Sequence, residues 1–354
     1  MIKTDRRPTR QIRLGSVLIG GGAPVSIQSM TNIRTADVQA VSEQIKQLQT
    51  AGCEIVRVAV LDEADAEAIK SLRKGCKLPL VADIHFDYKL ALSAIQNGAD
   101  GLRINPGNIG SRDKVKEVVA AAKEKMLPIR IGVNSGSLPK PILKKYGLTA
   151  EALVEAALSH VAILEKLNYR EMKISVKASS VPLMIQSYRL LSQKVDYPLH
   201  LGVTEAGSEY NGLVKSAAAI GTLLSEGIGD TIRVSLTADP VREVIAAKAI
   251  LRALELRPGL NIISCPTCGR TQINLIDLVK ETEGALQPWQ NYDFTVAVMG
   301  CAVNGPGEAS HADFGIAGGK GEGLLFAQGK IVRKVPEKDL VSELVNLIKE
   351  RYPL

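Results

Sequence analysis

Eight short β-rich runs, each followed by a stretch of helical character, constrain this 354-residue chain more than any other feature. They are PVSIQSM (24–30), EIVRVAV (54–60), LPLVADI (78–84), DGLRIN (100–105), LPIRIGVN (127–134), EMKISVKAS (171–179), YPLHLGVTE (197–205) and DTIRVSL (230–236). The segments between them carry apolar residues at helical spacing. TADVQAVSEQIKQLQTAG (35–52) sets Val38, Val41, Ile45 and Leu48 on one face and stops at a glycine. SRDKVKEVVAAAKEKM (111–126) opens on a cap-like Ser111. Strict β–α alternation over eight strands is the pattern of an α/β chain folded as a (β/α)8 TIM barrel. An open doubly wound sheet alternates in the same way, and counting strands does not by itself close the sheet.

The eighth helix, near 239–256, ends at RPG (257–259), where the composition changes. LNIISCPTCGRT starts a second unit, glycine becomes dense over 299–323, and the chain ends on a helix near 336–351. The expected organisation is a barrel domain over 1–258 and a smaller α+β domain over 259–354. The basic N-terminus MIKTDRRPTRQIRLG has no apolar stretch behind it, and no segment reaches the roughly 18 apolar residues of a spanning helix. The expectation is a cytoplasmic protein without a membrane partner.

In a barrel, alternate residues of each strand point inward, and the C-terminal ends of the strands carry the active site. In EIVRVAV the outward parity belongs to Val56, Val58 and Val60, which turns Arg57 inward. The same alternation turns in Arg103 with Asn105, Arg130 with Asn134, Ser175 with Lys177, and Arg233 with Ser235. PLVADIH offers Asp83 and His85; LHLGVTE offers His200 and Thr204, with Glu205 just beyond the strand. Four arginines and a lysine therefore converge on the mouth from five strands. Burying so much like charge is costly unless anions neutralise it. Few acids have the matching parity, and guanidinium forks fit phosphate oxygens, so a site for a diphosphate-sized ligand is expected. His85 and His200 are open between satisfied polar residues and proton-transfer groups. A net charge of +7 would also suit nucleic acid, but only 4% of residues are aromatic and the basic ones are scattered, which favours a small anion.

Five cysteines, clustered late in the chain, do not make a disulfide framework. Cys265 and Cys268 in SCPTCGRT and Cys301 in MGCAVNGPGE follow apolar, strand-like runs, and three thiolates on two Gly/Pro-rich turns can close on one centre. That centre is an iron–sulfur cluster or a zinc ion, for which His311 is the nearby histidine. With no fourth cysteine, Glu308 at the end of NGPGE is either an oxygen ligand or a solvated loop carboxylate. Cys53 and Cys76 read as core residues.

The combination of PVSIQSMTN, VADIHFDYKLAL, LRINPGNIG, CPTCGR and MGCAVNGPGE resembles the bacterial 4-hydroxy-3-methylbut-2-enyl diphosphate synthases, over essentially the whole chain. These are iron–sulfur enzymes of the methylerythritol phosphate route to isoprenoids. The resemblance implies one [4Fe–4S] cluster per chain on Cys265, Cys268, Cys301 and Glu308. It implies 2-C-methyl-D-erythritol 2,4-cyclodiphosphate as substrate, held by Arg57, Arg103, Arg130, Asn134, Lys177, Arg233 and Ser235. The reaction expected is a two-electron reductive ring opening with loss of water, using flavodoxin or ferredoxin, with Glu205 and Glu308 as catalytic candidates.

The last barrel helix, about 18 residues or roughly 27 Å long, returns the chain to the face opposite the mouth. A short linker, RPGLNIIS, then leads into the cluster domain, which would cap a second chain's barrel more easily than its own. A head-to-tail homodimer is the expected assembly, as the resemblance also implies. Two other readings stay open on the residues alone: a zinc-ribbon protein that binds nucleic acid, and a redox-inert barrel enzyme whose zinc only holds the tail together.

Overall fold

The structure, a computed structural model, describes residues 5–105, 107, 109–301 and 309–354. The chain divides after Leu256 into two compact units.

The first unit opens with an antiparallel hairpin, β1 (Ile12–Leu14) and β2 (Val17–Ile19). Eight parallel strands follow: β3 (Ser26–Met30), β4 (Ile55–Val60), β5 (Leu80–Ile84), β6 (Gly101–Ile104), β7 (Ile129–Asn134), β8 (Met172–Lys177), β9 (His200–Leu201) and β10 (Thr231–Ile232). They pair in sequence order from β3 to β8, β9 pairs with β10 and β10 with β3. A bridge between Ile174 and Leu199 joins β8 to β9 and completes the ring, so the open sheet is excluded.

Helices α1 (Val38–Ala51), α2 (Glu63–Gly75), α3 (Tyr88–Gln96), α4 (Arg112–Glu124), α5 (Lys140–Tyr146), α6 (Ala150–Lys166), α7 (Val181–Ser192), α8 (Glu209–Ser225) and α9 (Pro240–Ala253) connect the strands. The α1 sequence shows why. Asp37 accepts a hydrogen bond from the Ala40 N–H, Val41, Ile45 and Leu48 are buried, and Gly52 ends the helix at φ 102°. Ser111 does stand at the N-cap of α4, but its hydroxyl makes no capping bond. Val56, Val58 and Val60 are buried in the layer between strands and helices, each worth about 1.5–3 kcal/mol of apolar transfer. Cys53 and Cys76 belong to the same core. At the N-terminal end of the ring, Ile12, Leu14 and Ile19 of the hairpin pack on Ile55 and Val81 and plug the barrel floor.

The closing strands β9 and β10 are only two residues long, shorter than their sequence runs. Beyond Ile232 the backbone finds other partners: the Leu236 N–H donates to the Glu243 carboxylate and the Thr237 N–H to the Gly207 carbonyl. The ladder is thus exchanged for bonds that shape the mouth.

The second unit is a five-stranded mixed sheet ordered β11 (Asn261–Ser264), β12 (Thr295–Met299), β13 (Phe314–Gly318), β14 (Glu322–Ala327) and β15 (Lys330–Pro336). The first two pairings are parallel and the last two antiparallel. Helices α10 (Leu275–Ala285) and α11 (Leu340–Arg351) bury Leu275, Leu278, Leu340, Leu344 and Ile348 against Val296, Val298, Ile316 and Leu325. Trp289 ties down the C-terminus by donating to the Tyr352 carbonyl at 2.9 Å. Among the described residues, no helix is long and apolar enough to cross a membrane.

Candidate active site

At the C-terminal ends of the barrel strands lies a cavity of ≈ 160 Å³. Arg57, Arg103, Arg130, Asn134, Lys177, Arg233 and Ser235 all line it, joined by Asp83, His85 and Thr204. Strand register explains the convergence. Arg103 stands opposite both Asp83 and Arg130, and Asn134 opposite Lys177, so these side chains share the inward parity.

The cations are not equivalent. Asp83 lies 3.4 Å from Arg57 and 3.0 Å from Arg103. Burial alone would raise the Asp83 carboxyl, but Arg57, the His85 contact and Arg103 together hold it well below the usual carboxylate range. Arg233 is paired with Glu243 at 3.2 Å, an acid contributed by α9 rather than by any strand. Arg130 and Lys177 have no carboxylate partner among the described residues; Arg130 donates to the Ser175 hydroxyl at 2.8 Å. Burial first, and then neighbouring cations, push Arg130 and Lys177 well below their ordinary values. The scarcity of matching acids inferred from strand parity therefore holds for Arg130 and Lys177, not for Arg57, Arg103 or Arg233.

Two glycines at inward positions create the room these side chains occupy. A Cβ on Gly132 would lie 2.7 Å from the Arg103 Nε, and one on Gly202 would lie 2.5 Å from the Lys177 Nζ. Gly132, Gly202, Glu243 and Lys173 were not singled out from the sequence. Lys173 alone had a usable signal, because it shares its parity with Ser175 and Lys177. His200 is neither satisfied nor open to the cavity: it is fully buried, with both ring nitrogens unpartnered. Glu205 is exposed, one residue beyond the cavity-lining Thr204, and sits in left-handed backbone at φ 53°.

In the second unit, the cysteine turns follow adjacent parallel strands: Cys265 comes directly after β11, and Cys301 two residues after β12. Backbone bonds stitch the turns together. The Gly300 N–H donates to the Cys265 Sγ at 3.2 Å, and the Gln272 N–H to the Gly300 carbonyl at 3.2 Å. The exposed Cys268 thiol is pulled below its ordinary value by the Arg270 backbone N–H first, then by the Thr271 hydroxyl and the Arg270 side chain. An N–H aimed at sulfur and a lowered thiol are the environment a thiolate ligand needs, so this donor set fits a sulfur-ligated centre. Among the described residues no three Cys, His, Asp or Glu side chains stand gathered as a metal site; Glu308 lies outside the described residues.

A closed (β/α)8 barrel with a cationic mouth, carrying an α+β unit whose neighbouring strand ends present cysteines, defines the class. The GcpE TIM-barrel domain model matches residues 9–248 and the GcpE protein C-terminal domain model residues 261–350. The chain belongs to the GcpE family. It is 60% identical over 346 residues to a Clostridium perfringens protein, covering 97% of this chain and 99% of that one. It is 59% identical to a Geobacter sulfurreducens protein, with 97% and 99% covered. Both relatives are called 4-hydroxy-3-methylbut-2-en-1-yl diphosphate synthase (flavodoxin). Among solved structures, dihydropteroate synthase from Stenotrophomonas maltophilia superposes with a TM-score of 0.51 at 14% identity, covering 70% of this chain and 98% of its own. At that identity the likeness speaks for the barrel fold alone.

Proposed function

We propose that this chain reduces 2-C-methyl-D-erythritol 2,4-cyclodiphosphate to (E)-4-hydroxy-3-methylbut-2-enyl diphosphate, an oxidoreductase step of isoprenoid biosynthesis, with electrons from flavodoxin or ferredoxin. The observation that carries this reading is the convergence of Arg57, Arg103, Arg130, Lys177 and Arg233 on one cavity, in which Arg130 and Lys177 have no carboxylate partner among the described residues. Family membership across both units supports it.

Arg57 and Arg103, fixed by Asp83, and Arg233, fixed by Glu243, form a clamp already oriented before the diphosphate arrives. Arg130 and Lys177 supply the charge that phosphate oxygens neutralise. Asn134 and Ser235 donate neutral hydrogen bonds at the rim. Cys265, Cys268 and Cys301, with Glu308, would hold one [4Fe–4S] cluster per chain. When bound, that cluster would supply single electrons for the two-electron reductive ring opening. Glu205, placed next to the cavity lining, is the candidate for carrying the proton that departs with the water.

The active unit is a head-to-tail homodimer in the cytoplasm, acting without nucleic acid or membrane. The C-terminal half of α9 lies beside the end of α1, where a Cβ on Gly52 would come 3.1 Å from Lys248, so the chain leaves the barrel on the face opposite the cavity. If Arg130→Ala and Cys301→Ala chains, each inactive alone, recover no activity when mixed, the shared-site dimer is wrong.

The decisive experiment is metal and sulfide analysis of protein purified without oxygen, followed by turnover of the cyclodiphosphate with reduced flavodoxin. Iron and acid-labile sulfide in equal amounts, with R130A keeping both but losing turnover, is the expected result. Zinc without sulfide would overturn the redox reading.

A further inference from the structure

Below the mouth, the barrel does not become apolar. Such a barrel ordinarily fills with branched aliphatic side chains, yet here the inward positions carry Ser26 and Gln28 from β3, Lys173 from β8, His200 from β9 and Thr231 from β10. Each is at most 2% exposed. The Lys173 Nζ, both His200 ring nitrogens, both Gln28 amide atoms and the Ser26 and Thr231 hydroxyls have no hydrogen-bond partner among the described residues.

Lys173 is the costliest of these. Register sets it directly opposite Arg130 on β7. Arg57 on β4 and His200 on β9 also act on it, and Arg103 on β6, Lys177 on its own strand and Arg233 just after β10 line the cavity above. Among the described residues, the carboxylates that pair with this set are Asp83 on β5, engaged by Arg57 and Arg103, and Glu243 on α9, engaged by Arg233. Lys173 has no partner among the described residues. An ammonium buried without a partner sheds its proton rather than stay charged. Burial first, then Arg130 and Arg57, bring the amine down to about 7. His200 is lowered further by the same surroundings and stays neutral.

We propose that Lys173 is a charge-compensating residue of the mouth site: largely neutral in the ligand-free protein on the alkaline side of neutrality, it takes up a proton when a diphosphate binds above it. This rests on the reading of the mouth as a diphosphate site. Lys173 acts through Arg130, whose Nη1 is held by Ser175 of the same strand as Lys173. A polyanion at Arg130 cancels the repulsion that lowered the amine and adds an attraction, so the proton affinity of Lys173 rises. Ring opening strengthens the effect, because a cyclic diphosphate has one ionisable oxygen per phosphorus while a terminal phosphate has two. The added negative charge would therefore be matched by a proton held beneath it.

The test is calorimetry of inorganic pyrophosphate binding to the holoprotein at pH 8, in buffers of different ionisation enthalpy, for the wild type and Lys173→Met. Proton exchange by pyrophosphate itself is common to both, so the difference reads Lys173. A group with pKa about 7 should add about 0.9 proton per site at pH 8. In the wild type, Kd should rise with pH up to about tenfold per unit more steeply than in the variant. Equal proton uptake in the two proteins would overturn the coupling while leaving the diphosphate site standing. Failure of the wild type to bind pyrophosphate would overturn the site reading and the coupling with it. Should K173M not fold, the lysine 13Cε signal of the wild type, titrated with and without pyrophosphate, decides the same question: an unmoved midpoint refutes the proposal.

Discussion

Gly132→Ala isolates the geometry of the clamp from its chemistry. Gly132 lies within β7, and its φ is outside the left-handed region, so the backbone accepts alanine. The new methyl would meet the Arg103 Nε at 2.7 Å, Nη2 at 3.1 Å and Cζ at 3.3 Å. Non-bonded contact begins near 3.5 Å, so the guanidinium must retreat by about 0.8 Å. That push is directed toward Asp83 on the other side of β6, where the 3.0 Å contact leaves no room to absorb it, so the guanidinium must turn and its fork no longer meets a phosphate where Asp83 had aimed it. A charge-assisted hydrogen bond contributes about 1.5–3 kcal/mol, so pyrophosphate affinity should fall about 10- to 150-fold. Calorimetric titration with pyrophosphate measures the loss, and a melting curve checks that the barrel is intact. A Kd within twofold of wild type, with an unchanged melting curve, would show that anion binding does not depend on where Arg103 sits.

Three further substitutions probe the other supports. Asp83→Asn leaves Arg57 and Arg103 buried without their acid and should cost about 3–5 kcal/mol at pH 7 in urea unfolding. Because the folded Asp83 carboxyl is depressed, its stabilisation is present above the unfolded value near 4 and fades as pH falls below it, so the gap between variant and wild type should shrink below about pH 4. Glu243→Gln removes the carboxylate that fixes Arg233, so pyrophosphate affinity and unfolding stability should both fall; unchanged binding and unchanged stability would contradict the assigned role. Gly300→Ala puts a methyl 2.9 Å from the Thr271 Cγ2 and should spread the two cysteine turns, lowering iron per chain with no change in pyrophosphate affinity.

How much of this was legible in the sequence follows from where each signal resides. Strand parity is a local pattern, and it turned Arg57, Arg103, Arg130, Lys177 and Arg233 inward with no knowledge of neighbours. Closure of the ring was not legible, since it depends on pairings as remote as Thr231 with Ser26. Glu243 was invisible for a related reason: on α9 it is one acid in an amphipathic helix, and only the fold brings it against Arg233 and Ser29. Gly132 and Gly202 look like ordinary weak points of strands until the side chains that fill their space are known. Lys173 is different, because its parity was plain in KISVK. A lysine two residues deeper than Ser175 reads as a conflict with a packed barrel core, and conflicts of that kind concentrate at functional sites.

The distribution of charge explains how one barrel can be both stable and ready for a polyanion. Six cationic side chains face the interior, and had all six been unpaired the repulsion and desolvation would exceed the few kcal/mol by which a domain of this size is stable. Asp83 and Glu243 neutralise part of the set, and in doing so fix Arg57, Arg103 and Arg233 in place, so these groups add orientation more than free charge. Arg130 and Lys177 line the cavity with no carboxylate partner among the described residues, where a ligand can reach them. Lys173, buried and with no hydrogen-bond partner among the described residues, lightens the load by giving up its proton. Affinity for the ligand then comes from two cavity-lining groups on a rigid frame, and the remaining repulsion is deferred until an anion is there to oppose it.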